Sequence, residues 1–322
     1  MIRTQAGKCI AALLLAGAAS QVNAQGYPQG QLTLVIPLAA GDASDTAARV
    51  IADGLSKELK VPIVPVNRPG AGGALGTDIV VKSAKDGYTI SMSNNASLVF
   101  RSIMDPKVAT YDPLKDLTPL GLAMRSPSIL VVGANTPYKN FAEMAKYAKA
   151  NPGKIRIGTA GVGSVGHFCV NTLSTLWEAE LTMVPFTGAM PAVTAVRGGH
   201  IDGVILALGT MTGHIRSGAV RGIVISSKSE DFSDIPTLAE LGYKEQLFGV
   251  WTGFFAPAGV PADVTRVLVP ALERAIRAPE VSARLKPLGI LPDYAPPDKL
   301  LEEIRDEHRR VSAIAQKAGL IK

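Results

Sequence analysis

The hydrophobic pattern of this chain is dominated by two strand–loop–helix units. In the first, the apolar run 32–36 (Leu-Thr-Leu-Val-Ile) is followed by a loop of small residues over 37–44. Ala47, Val50, Ile51, Leu55 and Leu59 then recur on one helical face, with Asp42 or Ser44 as N-cap. In the second, the short run 154–157 leads into a glycine-rich loop over 158–166, and Cys169, Leu173, Leu176 and Trp177 form the helical stripe. Both loops feed a helix start, where free backbone N–H groups and the positive end of the helix dipole favour an anion. Two such loops, far apart in sequence, point to a ligand held between two lobes.

Elsewhere short β-branched runs alternate with helical patterns, which predicts α/β lobes. Residues 61–66 read as an edge strand, because Pro62 and Pro65 cannot donate ladder bonds. Asp86-Gly87 is a turn into a strand beginning at Tyr88. Helices are expected over 138–150, through Ala192, Val193 and Val196 up to Gly198-Gly199, over 264–278 and over 298–318. The last of these is expected to turn Leu301, Ile304, Val311 and Ile314 inward. Strands are expected over 201–206 and 222–225. Extended stretches near 117–132 and 247–255 look like crossings between lobes. That divides the chain into a discontinuous first lobe, 25–125 with 251–322, and a second lobe, 126–250.

The first residues change the picture of where the protein works. Arg3 and Lys8 precede a short apolar stretch from Cys9 to Ala19, and Val22-Asn23-Ala24 loosely fits a small-x-small cleavage site. Residues 1–24 therefore read as a cleavable secretion signal, and the periplasm is the expected destination. Cleavage would leave Cys169 as the sole cysteine, so no internal disulfide is expected. The formal charge of +6 is mild and becomes milder without Arg3 and Lys8. Its Lys and Arg residues are scattered among acids, which excludes a nucleic-acid surface.

Several chemistries are tempting. Gly161-Val162-Gly163-Ser164-Val165-Gly166 matches a dinucleotide fingerprint, but no acid follows near the end of the next strand, where Met183 to Gly188 stand. Ser164 and His167 could share a helical turn as nucleophile and base, yet Val162 stands where a nucleophile elbow needs glycine. An exported serine hydrolase is therefore the rival reading. His167, His200, His214 and His308 show no metal-ligand spacing, so neither metal nor cofactor is expected.

Taken together, the motifs resemble the substrate-binding proteins of tripartite tricarboxylate transporters, often called the Bug family. The resemblance rests on residues 35–45, Asn67-Arg68-Pro69-Gly70-Ala71-Gly72-Gly73, Asp86-Gly87-Tyr88-Thr89, residues 111–116, Gly161-Val162-Gly163-Ser164 with His167, and residues 255–261. It implies a two-lobed periplasmic-binding-protein fold with a ligand cleft between the lobes. It also implies a monomeric receptor that closes about a hinge on a small carboxylate and serves membrane permease subunits. A sensing receptor of the same fold is a further alternative.

By position, the resemblance assigns Leu38, Ala40, Gly41, Asp42 and Ser44 of the first loop to the ligand site. From the second it assigns Thr159, Ala160, Gly163, Ser164 and His167. Asn94 and Asn95 follow one strand, and Phe186 and Thr187 another. Four positions depart from the family. Leu38 stands where an aromatic is common, Asp42 replaces a glycine, Leu206 an acid, and Arg101 an asparagine. Leu206 would make its wall apolar, and Arg101 would pair with a second carboxylate. The favoured ligand is then an aromatic or aliphatic mono- or dicarboxylate.

Overall fold

The computed structural model of this protein describes residues 26–317 and residue 321. The expected secretion signal at 1–24 lies outside the described residues.

The first sheet is built around β1 (Leu32–Ile36), buried on both faces as a helix-covered parallel strand must be. After α1 (Ala43–Leu59), the chain returns as β2 (Ile63–Asn67), parallel to β1 at the sheet edge, where Pro65 is tolerated. Next come α2 (Ala74–Val81) and β3 (Thr89–Asn94), also parallel to β1. A wide π-type turn (Ala96–Phe100) and the short α3 (Arg101–Met104) then lead to β4 (Leu117–Ser126).

Pro127 separates β4 from β5 (Ser128–Gly133), which lies in the second sheet. That sheet continues through α4 (Phe141–Ala150), β6 (Arg156–Thr159), α5 (Val165–Trp177), β7 (Thr182–Pro185) and α6 (Ala189–Arg197). It is completed by β8 (Gly203–Ala207), α7 (Leu208–Arg216) and β9 (Val220–Ile225), with strand order β7-β6-β8-β5-β9.

The chain then re-enters the first sheet. There β10 (Val250–Pro257) inserts antiparallel between β3 and β4. It is followed by α8 (Ala262–Arg277), α9 (Pro279–Leu285), the edge strand β11 (Leu291–Ala295) and α10 (Pro297–Lys317). The order of this sheet is β11-β4-β10-β3-β1-β2. No helix among the described residues is long and apolar enough to cross a membrane.

Each lobe has an apolar cluster of its own, and a third spans both. In the shared cluster Phe100 of the first lobe meets Phe168 of α5 edge-on at 4.8 Å and Phe248 of the returning crossing at 5.1 Å. These rings pack together next to the crossings.

The inward stripe of α10 differs from the expected one. It runs Leu300, Ile304, Glu307, Val311 and Ala315, while Ile314 is exposed. Glu307 therefore lies inside an apolar row. Its carboxylate accepts from Trp251 Nε1 at 2.7 Å and from Asn95 Nδ2 at 3.3 Å. Asn95 Nδ2 also donates to the Gly249 carbonyl at 3.0 Å, so all three groups brace the returning crossing. Burial pushes the Glu307 carboxyl up to about 7, against the opposing effect of those two donors. A cavity of about 640 Å³ opens beside this brace; none of its lining residues belongs to the two glycine loops.

Candidate functional site

The two loops lie at the C-terminal ends of β1 and β6, where open α/β sheets bind ligands. In the first loop Gly41 has φ +84°, which bends the chain into α1. Asp42 is the N-cap, and its Oδ1 accepts from Ser44 N–H at 2.8 Å. Asp45 Oδ2 accepts from Gly41 N–H at 3.0 Å. The Ala43 N–H donates to Thr210 Oγ1 on α7 at 3.2 Å. The start of α1 is thus occupied by the protein's own acceptors, two of them carboxylates.

The two carboxyls are shifted in opposite directions. Burial raises the Asp42 carboxyl above its ordinary range, more than its two bonds to Ser44 lower it. Burial also raises Asp45, but bonds from Asn67, Gly41 and Arg49 outweigh it and hold that carboxyl below its ordinary range. Asn67 Nδ2 donates to Asp45 Oδ1 at 2.8 Å and to the Leu38 carbonyl at 3.0 Å, which ties the loop to β2. Leu38 is half-buried and Ala40 exposed.

The second loop is organised without a carboxylate. Ser164 is the N-cap of α5, its Oγ accepting from His167 N–H at 3.3 Å. Gly163 N–H donates to His167 Nδ1 at 3.2 Å. That bond makes Nδ1 an acceptor, so the neutral imidazole carries its proton on Nε2. Burial lowers the His167 pKa, which keeps the ring neutral near pH 7. Thr159 is fully buried, and its Oγ1 accepts from Gly161 N–H at 3.3 Å. Ala160 is half-buried beside the cluster that holds Phe186.

The lobes meet across the loops. Arg101 Nη1 donates to the Val162 carbonyl at 2.8 Å, and Thr210 takes the Ala43 N–H from the other side. A Cβ on Gly41 would lie 3.3 Å from Met190 Cγ, and one on Gly188 3.3 Å from Ala39 Cβ. This is a closed arrangement.

Some expected residues are engaged elsewhere. Asn95 faces the hinge brace rather than the loops, because Gly249 and Glu307 supply its acceptors. Asn94 Oδ1 accepts from Ser97 N–H at 3.2 Å and so starts the π-type turn. Leu206 is buried with Phe186 in the second lobe's own cluster, where an acid would be desolvated. Thr187 is exposed. Arg101 spends both terminal nitrogens within the protein, the second on Asp105 at 3.1 Å.

Ser44 belongs to the expected site, but the row of buried hydroxyls beyond it, Thr252, Ser93, Ser91 and Thr77, escaped the sequence reading. Ser44 Oγ and Thr252 Oγ1 lie 3.2 Å apart. Ser93 Oγ donates to Ser91 Oγ at 3.1 Å and lies 3.4 Å from Thr77 Oγ1. The alternating serines of β3, within a central strand, were the signal available for two of them.

The family described as "Tripartite tricarboxylate transporter family receptor" matches residues 47–320. The chain belongs to that family. A similar protein is Protein BugT of Bordetella pertussis (strain Tohama I), 31% identical over 306 residues, covering 94% of each chain. Among solved structures, MatC from Rhodopseudomonas palustris with bound malate is 32% identical, with a TM-score of 0.84, covering 89% of this chain and 99% of MatC. R. palustris Rpa4515 with adipate is 27% identical, with a TM-score of 0.87, covering 91% of this chain and 98% of that one. These neighbours share the two-lobed fold, and the receptor family accounts for a ligand cleft between lobes. Among the described residues the Ser164 and His167 side chains share no hydrogen bond of the kind a nucleophile–base pair makes. The Ser164 hydroxyl is hydrogen-bonded to the His167 backbone, and the Nδ1 of that ring is taken by Gly163.

Proposed function

We propose that this chain is a periplasmic solute-binding protein. It captures a small organic carboxylate between its lobes and delivers it to the membrane subunits of a tripartite tricarboxylate-type transporter. The observation that carries this reading is the apposition of two strand–loop–helix units across one closed cleft. The second unit combines a neutral hydroxyl cap, a neutral histidine and a helix start free of protein carboxylates. A carboxylate bound there meets no like charge from its own loop. Neighbours with bound malate and adipate fit the same ligand class.

The ligand body is aliphatic or aromatic rather than amino-substituted, because Leu206 and Phe186 leave the second lobe apolar near its loop. The protein acts as a monomer after loss of its secretion signal, and binds without turnover.

A thermal-shift panel of malate, adipate, succinate, benzoate, aspartate and glutamate tests this. At least one of the non-amino acids should raise Tm, because a ligand that binds only the folded state stabilises it. Stabilisation by aspartate and glutamate alone would overturn the specificity. Hydrolysis of an ester panel that vanishes in Ser164→Ala would overturn the receptor reading itself.

A further inference from the structure

We infer that Arg101 is a closure latch: it fixes the apex peptide of the second loop from the opposite lobe and so sets how long a ligand stays bound. The inference rests on the carboxylate-receptor reading and adds a named positioning residue to it.

The peptide between Val162 and Gly163 is held at both ends. Its carbonyl accepts from Arg101 Nη1 at 2.8 Å, and its N–H donates to His167 Nδ1 at 3.2 Å. A peptide is planar, so two opposed bonds fix its orientation. The histidine belongs to the same unit and holds the peptide whether the lobes are open or closed. Arg101 belongs to the first lobe and reaches the peptide only on closure.

Glycines make room for this reach. A Cβ on Gly163 would lie 3.0 Å from Arg101 Cδ, and one on Gly72 would lie 3.8 Å from the same atom. Both residues have positive φ, +75° and +65°. Asp105, one turn on, steadies the guanidinium through Nη2 at 3.1 Å. Arg101 is 9% exposed, and its Nε is buried with no acceptor among the described residues. Each terminal nitrogen spends one N–H within the protein, one on the Val162 carbonyl of the opposite lobe and one on Asp105. The geometry thus gives Arg101 a role on the loop itself, distinct from that of a counter-ion to a distal carboxylate.

Stopped-flow tryptophan fluorescence with adipate, malate and hexanoate as probes separates the two roles. Arg101→Ala should speed dissociation by about 10- to 100-fold, the worth of a hydrogen bond to a charged group. Association should change far less than dissociation, since the latch forms after encounter and affinity differences between related complexes lie mostly in the off-rate. Arg101→Lys should also dissociate fast, because an ammonium lacks the fork that spans Val162 and Asp105.

Adipate and hexanoate should lose equally. A loss confined to the dicarboxylate would make Arg101 a counter-ion and overturn the latch, as would unchanged dissociation in a folded variant. If the wild-type chain binds none of these probes and none of the non-amino acids of the thermal-shift panel, the receptor reading falls. Ligand-free small-angle scattering then judges the latch alone: Arg101→Ala should have a larger radius of gyration than wild type, and equal radii overturn it.

Discussion

The two loops are alike in outline and opposite in what fills them. The first ends in a helix whose opening N–H groups are taken by Asp45, Thr210 and Asp42. The second ends in a helix capped by a hydroxyl, and burial lowers the pKa of the histidine in its first turn, His167, and so favours the neutral ring. A shared strand–loop–helix geometry does not make two equal anion sites. The first unit holds its own carboxylates at the helix start, and the second holds none, which is why the proposed ligand is placed there.

The sharpest way to break this comparison is to substitute a glycine in each loop. Gly163→Ala should weaken adipate or malate binding by about 100-fold, near 3 kcal/mol, because φ is +75° and the new Cβ meets the pinned Arg101 Cδ at 3.0 Å. Gly41→Ala has a similar φ penalty, but its Cβ meets the flexible Met190 side chain at 3.3 Å. It should cost only about tenfold. Calorimetry that finds the two equal would dissolve the distinction.

The next effect belongs to the hinge. Glu307 is raised to about 7 in the folded chain, so the native state holds a proton that the unfolded chain releases near the ordinary glutamate pKa of about 4.3. Its stabilising contribution is complete below that value and is lost as pH rises through about 7. Thermal melts from pH 4.5 to 7.5 should therefore show a decline, of order 2 kcal/mol, that Glu307→Gln flattens. A decline that persists in the variant would move the titration elsewhere.

The caps give the smallest effect and the clearest difference in sign. Asp42→Ala and Ser164→Ala should each cost about 1 kcal/mol of stability as lost N-caps. Asp42→Asn should keep its cap and tighten carboxylate binding a few-fold, about 0.5–1 kcal/mol, by removing a like charge. Ser164→Ala should weaken the same binding. Paired melts and titrations measure both, and weaker binding in Asp42→Asn would mean that its charge serves the ligand.

Most of the architecture was legible because period and punctuation agree. The Asp42 cap, the edge strand with Pro65, and helices ended by glycine follow from local chemistry. The missed elements lack that chemistry. Helix α7 (Leu208–Arg216) has no side-chain cap and contains Gly209 and Gly213, and β11 (Leu291–Ala295) is a half-exposed edge strand with a proline. In the site, backbone loops could be read but side-chain commitments could not. Arg101, Asn95 and Glu307 take their partners from 61, 154 and 212 residues away. No local pattern encodes such a partner, and an acid in an apolar stripe reads as a break rather than a brace.

The position of β10 has a consequence for how the chain assembles. It lies between β3 and β4, so without it the first sheet is two unconnected pieces. Every residue of the second lobe's sheet is synthesised before β10 exists. The second lobe can complete its pairing from contiguous sequence, whereas the first must wait and then close a loop of more than a hundred residues, Ser126 to Val250. Prior folding of the second lobe shortens that loop by bringing its ends together at the crossings. The late, non-local docking of one central strand is then the step expected to limit the rate, and until it occurs β3 and β4 are open edges.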